Sequence, residues 1–254
     1  MSTSAEPEII PAATVVIMRD IVEGAPELLM LERSAAMAFA GGALVFPGGR
    51  VDPADRALAE LVGRDDLEDA AGRIAAIRET IEEAGVAVGL DPIPDANALA
   101  AMRTALHAGD TLGEVLHEAS VALALDALVP FARWLPHGLS HRIFDARFYL
   151  ARAPTDAAPI VDATENTRLF WASAQAVLDD ADAGRATIIF PTRRNLERLA
   201  LFDSHDAAVA DARAHPVRTI TPWRETRGGI DHLCIPDDLG YPVTSQPFAR
   251  AARG

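Results

Sequence analysis

The most concentrated set of reactive side chains lies in residues 78–86, which read RETIEEAGV. Glu79, Glu82 and Glu83 are three and four positions apart, so on a helix they share one face. Arg78 lies one turn before Glu82. Carboxylates that converge repel each other unless a cation lies between them, and hard divalent cations such as Mg²⁺ or Mn²⁺ prefer carboxylate and carbonyl oxygen. The spacing indicates a divalent-metal site; the alternative is a solvated acidic helix face, the commoner reason for a charge run.

The composition of the chain excludes several classes of protein. The 254 residues carry 37 acidic and 23 basic side chains, a formal charge of -14. Such a surface repels nucleic acid and anionic lipid, so we expect neither as a partner. The only cysteine, Cys234, permits no intramolecular disulfide. The sequence shows no secretion signal and no apolar run approaching the roughly 18 residues of a membrane span, so we expect a cytoplasmic protein.

The elements that must position the acidic cluster are a glycine loop and a helix. Residues 46–49, FPGG, predict a loop whose backbone can approach another group closely. Residues 56–84 predict a helical segment that breaks near Gly63 and starts again at about Asp66, where acids occupy the first turn. Gly85 suits a left-handed C-cap. The sequence therefore predicts that loop, helix and stop form one unit around the carboxylates.

The rest of the chain alternates strands and helices. We predict a helical pair beginning at Asp95 and Asp110, which forms an insertion at about 95–126. Strands are predicted at 13–20, 26–34, 86–90, 128–136 and 141–154, and a strand entering a helix at 164–184 and again at 185–202. Together these elements predict one mixed α/β domain over 12–254 after a flexible tail at 1–11.

The unit around the cluster resembles the box of the Nudix hydrolase superfamily. That box is a glycine, five residues, a glutamate, seven residues, then Arg-Glu-aliphatic-any-Glu-Glu-any-Gly-aliphatic. Gly49 matches the first glycine and residues 78–86 match the second half, with Thr80 at the aliphatic position. Asp55 stands where the first glutamate is expected, and 22 residues separate it from Arg78. The insertion resembles a subgroup that includes the mammalian peroxisomal coenzyme A diphosphatase-like enzymes.

The resemblance implies a fold and a set of metal ligands. The fold is the Nudix α/β/α sandwich, here with the helical insertion. In the family, the glutamates matching Glu79, Glu82 and Glu83 ligate Mg²⁺ or Mn²⁺. The glycine matching Gly49 offers its backbone carbonyl to the metal, and the arginine matching Arg78 orients a glutamate.

The resemblance leaves the remaining catalytic and substrate-binding residues less defined. Family members take the general base from a box glutamate or from a later loop, so Glu82 and Glu165 are both candidates. Arg142 and Arg147 are candidates to bind a substrate phosphate. Because the two are five apart on one predicted strand, at most one of them should face the cleft. Phe46 is a further candidate for substrate binding.

The function implied is cleavage of the diphosphate bond of a nucleoside diphosphate linked to another moiety. Coenzyme A or acyl-coenzyme A is one candidate substrate, although the coenzyme A pattern before FPGG is matched only in part, with Ala38 where an arginine is expected. The alternative is a catalytically silent nucleotide-binding or regulatory protein; retention of all three glutamates favours the enzyme. The expected partner is a small nucleotide-derived substrate, and homodimers, common in the family, remain an option.

Overall fold

The computed structural model describes residues 8–37, 40–136, 143–155, 157–161 and 166–251. The strands are β1 (Ile9–Arg19), β2 (Glu27–Arg33), β3 (Leu44–Val45), β4 (Gly48–Arg50), β5 (Leu90–Asp91), β6 (Ala122–Leu123), β7 (Val129–Trp134), β8 (Ile143–Arg152), β9 (Asn166–Ser173), β10 (Thr219–Ile220), β11 (Trp223–Arg227), β12 (Ile230–Cys234) and β13 (Ser245–Pro247). The helices are α1 (Pro53–Val62), α2 (Leu67–Ala84), α3 (Ala96–Ala108), α4 (Leu112–Ala119), α5 (Ala174–Asp182), α6 (Phe190–Leu199), α7 (His205–Ala214) and α8 (Phe248–Ala251). No helix in these ranges is long and apolar enough to cross a membrane.

A mixed sheet forms the middle of the fold, in the order β10-β7-β8-β1-β2-β3. β1 runs parallel to β8 and is paired with it from Ile9 to Met18. The expected β1–β2 hairpin is present but pairs only near its turn, at Met18 and Arg19. The other end of the same edge of β1 pairs with β4, from Ala12 to Thr14. This division of one strand edge brings the glycine loop into the sheet.

The two faces of β1 pack against different sets of helices. Ala13, Val15 and Ile17 face the core formed with α1 to α4. Val16 and Met18 face the core formed with α5, α6 and α7. A strand covered on both faces is apolar at consecutive positions rather than at alternate ones, as β1 is. The result is the mixed α/β/α sandwich that the sequence predicts, with α3 and α4 as the helical insertion.

The structure corrects several predicted boundaries. β1 begins at Ile9, so its first residues fall in the segment predicted as a tail. α4 is capped by Thr111 rather than by Asp110, because the Thr111 side chain and Glu114 form a reciprocal capping box. Of residues 86–90, only the last belongs to a strand; the others are buried against the core without a neighbouring strand to pair with.

The segment before α6 also differs from its prediction. Residues 185–189 form no strand and make one isolated bridge, from Thr187 to Ala43. Pro191 lies in the first turn of α6, where its fixed φ suits helix initiation and its missing N–H costs nothing. The chain therefore turns into the helix before a ladder can form. The small sheet of β11, β12 and β13 was not predicted.

Candidate active site

Helix α2 carries the acidic cluster on its last turn. It starts after Asp66, whose side chain accepts a hydrogen bond from the Asp69 N–H, and it ends at Gly85, which has φ 60°. Ile74, Ile77 and Ile81 are fully buried in the core under the sheet. Because these apolar residues fix which face of the helix is inward, the glutamates of the last turn lie at the edge of the sheet beside β4.

The glycine loop packs directly against this turn. A Cβ on Gly49 would lie 2.2 Å from Oε1 of Glu79, so only glycine leaves room for the carboxylate. Gly48 has φ 154°, and a Cβ there would lie 2.3 Å from the Ala13 carbonyl oxygen. Both positions therefore lack room for a side chain: Gly49 lies against the Glu79 carboxylate, and Gly48 lies against the backbone of β1.

Arg78 links the two halves of the box. Its Nε and Nη2 donate to the two carboxylate oxygens of Asp55 at 3.1 and 3.0 Å, and Nη2 also donates to the Arg50 carbonyl at 2.9 Å. Its Nη1 donates to Glu79 and to Glu82, both at 2.9 Å. Burial alone would lower the pKa of Arg78, but its hydrogen bonds to Asp55 and the charges of the surrounding carboxylates raise it. The guanidinium thus remains charged and holds the carboxylates in place.

Asp55, the departure from the family pattern, occupies a buried position at the start of α1. It is 1% exposed and accepts, besides the Arg78 fork, a hydrogen bond from the Asp52 N–H at 2.9 Å. The 22 residues between Asp55 and Arg78 form most of α1 and the first turns of α2. The insertion therefore lengthens a helical hairpin without separating the two ion-paired residues.

Glu83 is held by a different pair of donors. Its Oε2 accepts from the Gly48 N–H at 2.9 Å, and its Oε1 accepts from Nδ2 of Asn166 at 3.2 Å. Asn166 opens β9 and is 1% exposed. Asn166 was not among the candidates from the sequence, because nothing in the polar start of this strand, Asn-Thr-Arg, distinguishes the first residue from the next two.

Two of the three carboxylates, Glu79 and Glu82, have raised pKa values. Burial, opposed by Arg78 and reinforced by the charges of Glu83 and Glu82, raises the pKa of Glu79 to about 8. Burial also raises the pKa of Glu82, against the lowering effect of Arg78. The negative charge of these carboxylates is therefore poorly solvated in this turn, and a bound cation would stabilise their charged forms.

The donor set fits a hard divalent cation by its chemistry, although its side chains are turned towards other partners. Within the described ranges, no three His, Cys, Asp or Glu side chains are arranged as a ready ligand group. The reason is visible in the contacts: Glu79 and Glu82 each give an oxygen to Arg78, and Glu83 is bonded to Gly48 and Asn166. Because Glu79 and Glu82 each give Arg78 one oxygen, the second oxygen of each carboxylate could bind a metal.

A cavity of about 710 Å³ opens beside the cluster. Glu79, Glu82 and Glu83 lie at its acidic end, and Phe46, which is 3% exposed, lies in its wall. The cavity is otherwise lined mainly by apolar side chains of β7, β8, the start of α6 and one helix of the insertion: Trp134, Phe144, Ala146, Phe148, Ile189, Pro191 and Leu106. It is large enough for a nucleotide-sized ligand.

Arg33 is a partly buried arginine in the cavity wall that was not among the candidates from the sequence. It ends β2 beside the cavity, and its Nε is buried without a hydrogen-bond partner among the residues that the structure describes. Its backbone is fixed, since its N–H donates to Ala43 and its carbonyl accepts from Gly42, both at 3.1 Å. The signal available in the sequence was an arginine at the end of a largely apolar strand.

The other predicted site residues are placed apart from the cavity or outside the described ranges. Arg147 lies on the face of β8 that packs against α2, where a Cβ on Gly72 would lie 3.2 Å from its Cδ. The cavity is lined by the alternate residues of that strand, so nothing in the geometry supports Arg147 as a phosphate ligand. Arg142 and Glu165 lie outside the described residues.

The arginines at the start of α6 have structural partners. Arg194 is 1% exposed and donates to Glu197 and Gln246, both at 2.8 Å. Arg198 is 2% exposed and donates to Asp211 at 2.6 and 2.9 Å. These contacts tie α6 to α7 and to the small sheet, so these two arginines are not a solvated basic face.

Comparison with known proteins agrees with this geometry. The chain is 26% identical over 222 residues to the Caenorhabditis elegans protein named "Putative nudix hydrolase 7", an alignment covering 84% of this chain and 69% of that protein. It is 27% identical to a NUDIX hydrolase of known crystal structure from Alicyclobacillus acidocaldarius, with a TM-score of 0.71, over 81% of this chain and 97% of that chain. No family model matches.

The chain thus combines an α/β/α sandwich with a glycine loop that faces an arginine- and glutamate-bearing helix. Together with the two similarities, the fold and the box support a Nudix-type enzyme of the Nudix hydrolase superfamily.

Proposed function

We propose that this chain is a divalent-cation-dependent hydrolase that cleaves the diphosphate bond of a nucleoside diphosphate linked to another moiety. The observation that carries the proposal is the gathering of three α2 carboxylates, fixed by Arg78 and the glycine loop, at one end of a ligand-sized cavity. Without a metal, the three glutamates at the end of the cavity would repel a negatively charged diphosphate. A divalent cation bound between the glutamates and the diphosphate would remove this repulsion.

The residues that would hold the cation are Glu79, Glu82 and Glu83, with the backbone carbonyl of Gly49. When bound, Mg²⁺ or Mn²⁺ neutralises diphosphate oxygens and polarises phosphorus for attack by water. Arg78 orients Glu79 and Glu82 from one side, since both accept from its Nη1. The Gly48 N–H and Asn166 are the two donors that orient Glu83 from the other side.

The general base is Glu82 or Glu165. Glu82 is accessible from the cavity, and its raised pKa makes its carboxylate a stronger proton acceptor than an ordinary glutamate. Glu165 directly precedes Asn166 in the sequence, and Asn166 donates a hydrogen bond to Glu83; Glu165 itself lies outside the described residues.

Arg33 is a further candidate, beside Arg142, for contact with a substrate phosphate. The Nε–H of Arg33 has no hydrogen-bond partner among the described residues, and Arg33 lines the same cavity as the three glutamates. Its guanidinium could therefore donate to a phosphate oxygen, which the glutamate carboxylates cannot do. Because a hydrogen bond to a charged group contributes about 1.5–3 kcal/mol, Arg33→Gln should raise KM roughly 10- to 100-fold. Arg19→Gln, on the neighbouring strand at the far end, is the matched control; an unchanged KM in Arg33→Gln would remove this role.

The cavity shape supports a substrate with an apolar or aromatic portion beyond the diphosphate. Phe46, Phe148 and Trp134 form an apolar wall, and Leu106 and His107 of α3 extend it. This wall is compatible with coenzyme A or acyl-coenzyme A, the substrate class of the subgroup that the chain resembles. α4, the other helix of the insertion, contributes no residue to the cavity lining.

The alternative is a nucleotide-binding protein without catalytic activity. It would use the same cavity and cation, so geometry favours neither reading on its own. What favours the enzyme is that the chain retains all three box glutamates, Glu79, Glu82 and Glu83.

The experiment is a hydrolysis assay with Mg²⁺ or Mn²⁺ on coenzyme A, acyl-coenzyme A, ADP-ribose, NADH, diadenosine polyphosphates and nucleoside triphosphates. Wild type is compared with Glu82→Gln and with Glu60→Gln, an exposed glutamate of α1. We expect turnover of at least one diphosphate-linked compound, lost in the first variant and kept in the second. Metal-dependent nucleotide binding without turnover of any compound would support the binding protein instead.

A further inference from the structure

The last turn of α2 ends with an unusually complete set of partners for its backbone carbonyls. The final four carbonyls of a helix have no partner within the helix. The Gly85 N–H donates to the Ile81 carbonyl at 3.0 Å, the αL closure of the helix. The Ile160 N–H donates to the Ala84 carbonyl at 2.8 Å. The carbonyls that remain belong to Glu82 and Glu83.

Arg103 binds both remaining carbonyls. Its Nε donates to the Glu82 carbonyl at 2.8 Å, and its Nη2 donates to the Glu83 carbonyl at 3.5 Å. Its Nη1 lies 3.5 Å from the position that a Cβ on Gly85 would take. The guanidinium therefore lies across the C-terminal end of α2, where a positive charge is favourable because the carbonyl dipoles point there.

The arginine comes from the helical insertion and not from the Nudix box. It lies in the middle of α3, whose N-terminus is capped by the Asp95 side chain. Leu106 and His107, one turn further along α3, line the cavity. One rigid helix thus contacts both the metal-binding turn and the wall of the substrate cavity.

We propose that Arg103 is a positioning residue for the metal-binding turn of α2, so that the insertion forms part of the active site. The proposal rests on the proposed function. Arg103 binds the backbone carbonyls of Glu82 and Glu83, and the side chains of these same two residues are proposed ligands of the cation. Loss of those hydrogen bonds would free the last turn to fray and would loosen both carboxylates at once.

The test compares Arg103→Gln, Arg103→Lys and the control Arg64→Gln, which removes an exposed arginine paired with Asp126. Mn²⁺ binding to the metal-free proteins is measured by the loss of the free Mn²⁺ electron paramagnetic resonance signal, alongside Tm and steady-state kinetics. Partners that orient metal ligands typically contribute 10- to 100-fold to metal affinity. We expect Arg103→Gln to weaken Mn²⁺ binding about 10-fold, with kcat at saturating Mn²⁺ within about threefold of wild type.

The lysine variant separates positioning from packing. Its ammonium can reach one carbonyl, so we expect an intermediate Mn²⁺ affinity, and the comparison still holds if the glutamine variant fails to fold. Mn²⁺ affinity equal to wild type in both Arg103 variants, with only Tm lowered, would overturn the inference and leave the proposed function intact. Absence of Mn²⁺ binding by wild type would overturn the proposed function and this inference with it.

Discussion

The buried ion pair between Asp55 and Arg78 offers the sharpest test of how the inserted box is held together. Asp55→Asn keeps the size of the side chain but places an NH₂ group against the N–H donors of Arg78 or Asp52. Losing one member of a buried pair typically costs about 3–5 kcal/mol. Arg78 retains Glu79 and Glu82 as partners, so the lower half of that range applies, about 3–4 kcal/mol.

That loss translates into a measurable change in thermal stability. For a chain of this size, about 1 kcal/mol shifts Tm by roughly 2–4 °C, so Asp55→Asn should lower Tm by roughly 6–16 °C in differential scanning calorimetry. Asp65→Asn, an exposed aspartate between α1 and α2, is the control and should stay within about 0.5 kcal/mol of wild type. A Tm for Asp55→Asn within 2 °C of the control, an interval of about 1 kcal/mol or less, would refute the assignment of Asp55 as the anchor of Arg78.

Three further predictions follow from the site. Gly49→Ala should lower kcat/KM about 100-fold with a small change in Tm, because the new Cβ displaces the Glu79 carboxylate; activity near wild type would contradict that contact. Because the folded-state pKa of Glu79, about 8, exceeds its ordinary 4.5, its protonation stabilises the metal-free protein at low pH, and this stability is lost as pH rises through 8. Metal-free Tm should therefore fall between pH 5 and pH 8.5, and the rise in Tm on adding Mg²⁺ should be larger at pH 8.5; a flat profile would contradict this. Arg147→Gln should leave KM unchanged in kinetic assays, because Arg147 lies on the far face of β8; a tenfold rise would restore it as a phosphate ligand.

The sequence was informative where local rules decide the structure. Gly85 as a left-handed C-cap, Asp66 and Asp95 as N-caps and the break at Gly63 all depend on neighbouring residues only, and each was predicted. The convergence of the glutamates on one helix face is likewise a matter of spacing.

Features set by tertiary contacts could not be predicted in the same way. Asn166 and Arg33 come from β9 and β2, and their approach to the cluster depends on how these strands pair. The contact of Arg103 with the end of α2 depends on the packing of α3 against α2, since Arg103 follows Glu82 by 21 residues. To predict the face of β8 on which Arg147 lies, the pairing register of the strand is needed as well as the alternation of its side chains.

The most direct test of the account is calorimetric titration of metal-free wild type, Glu79→Gln and Glu60→Gln with Mn²⁺ at pH 7.5. The account predicts binding by wild type and by Glu60→Gln, weakened at least tenfold in Glu79→Gln because an amide replaces one of the three carboxylate ligands. Equal Mn²⁺ affinity in all three proteins, or no binding by wild type, would contradict a metal site on the last turn of α2.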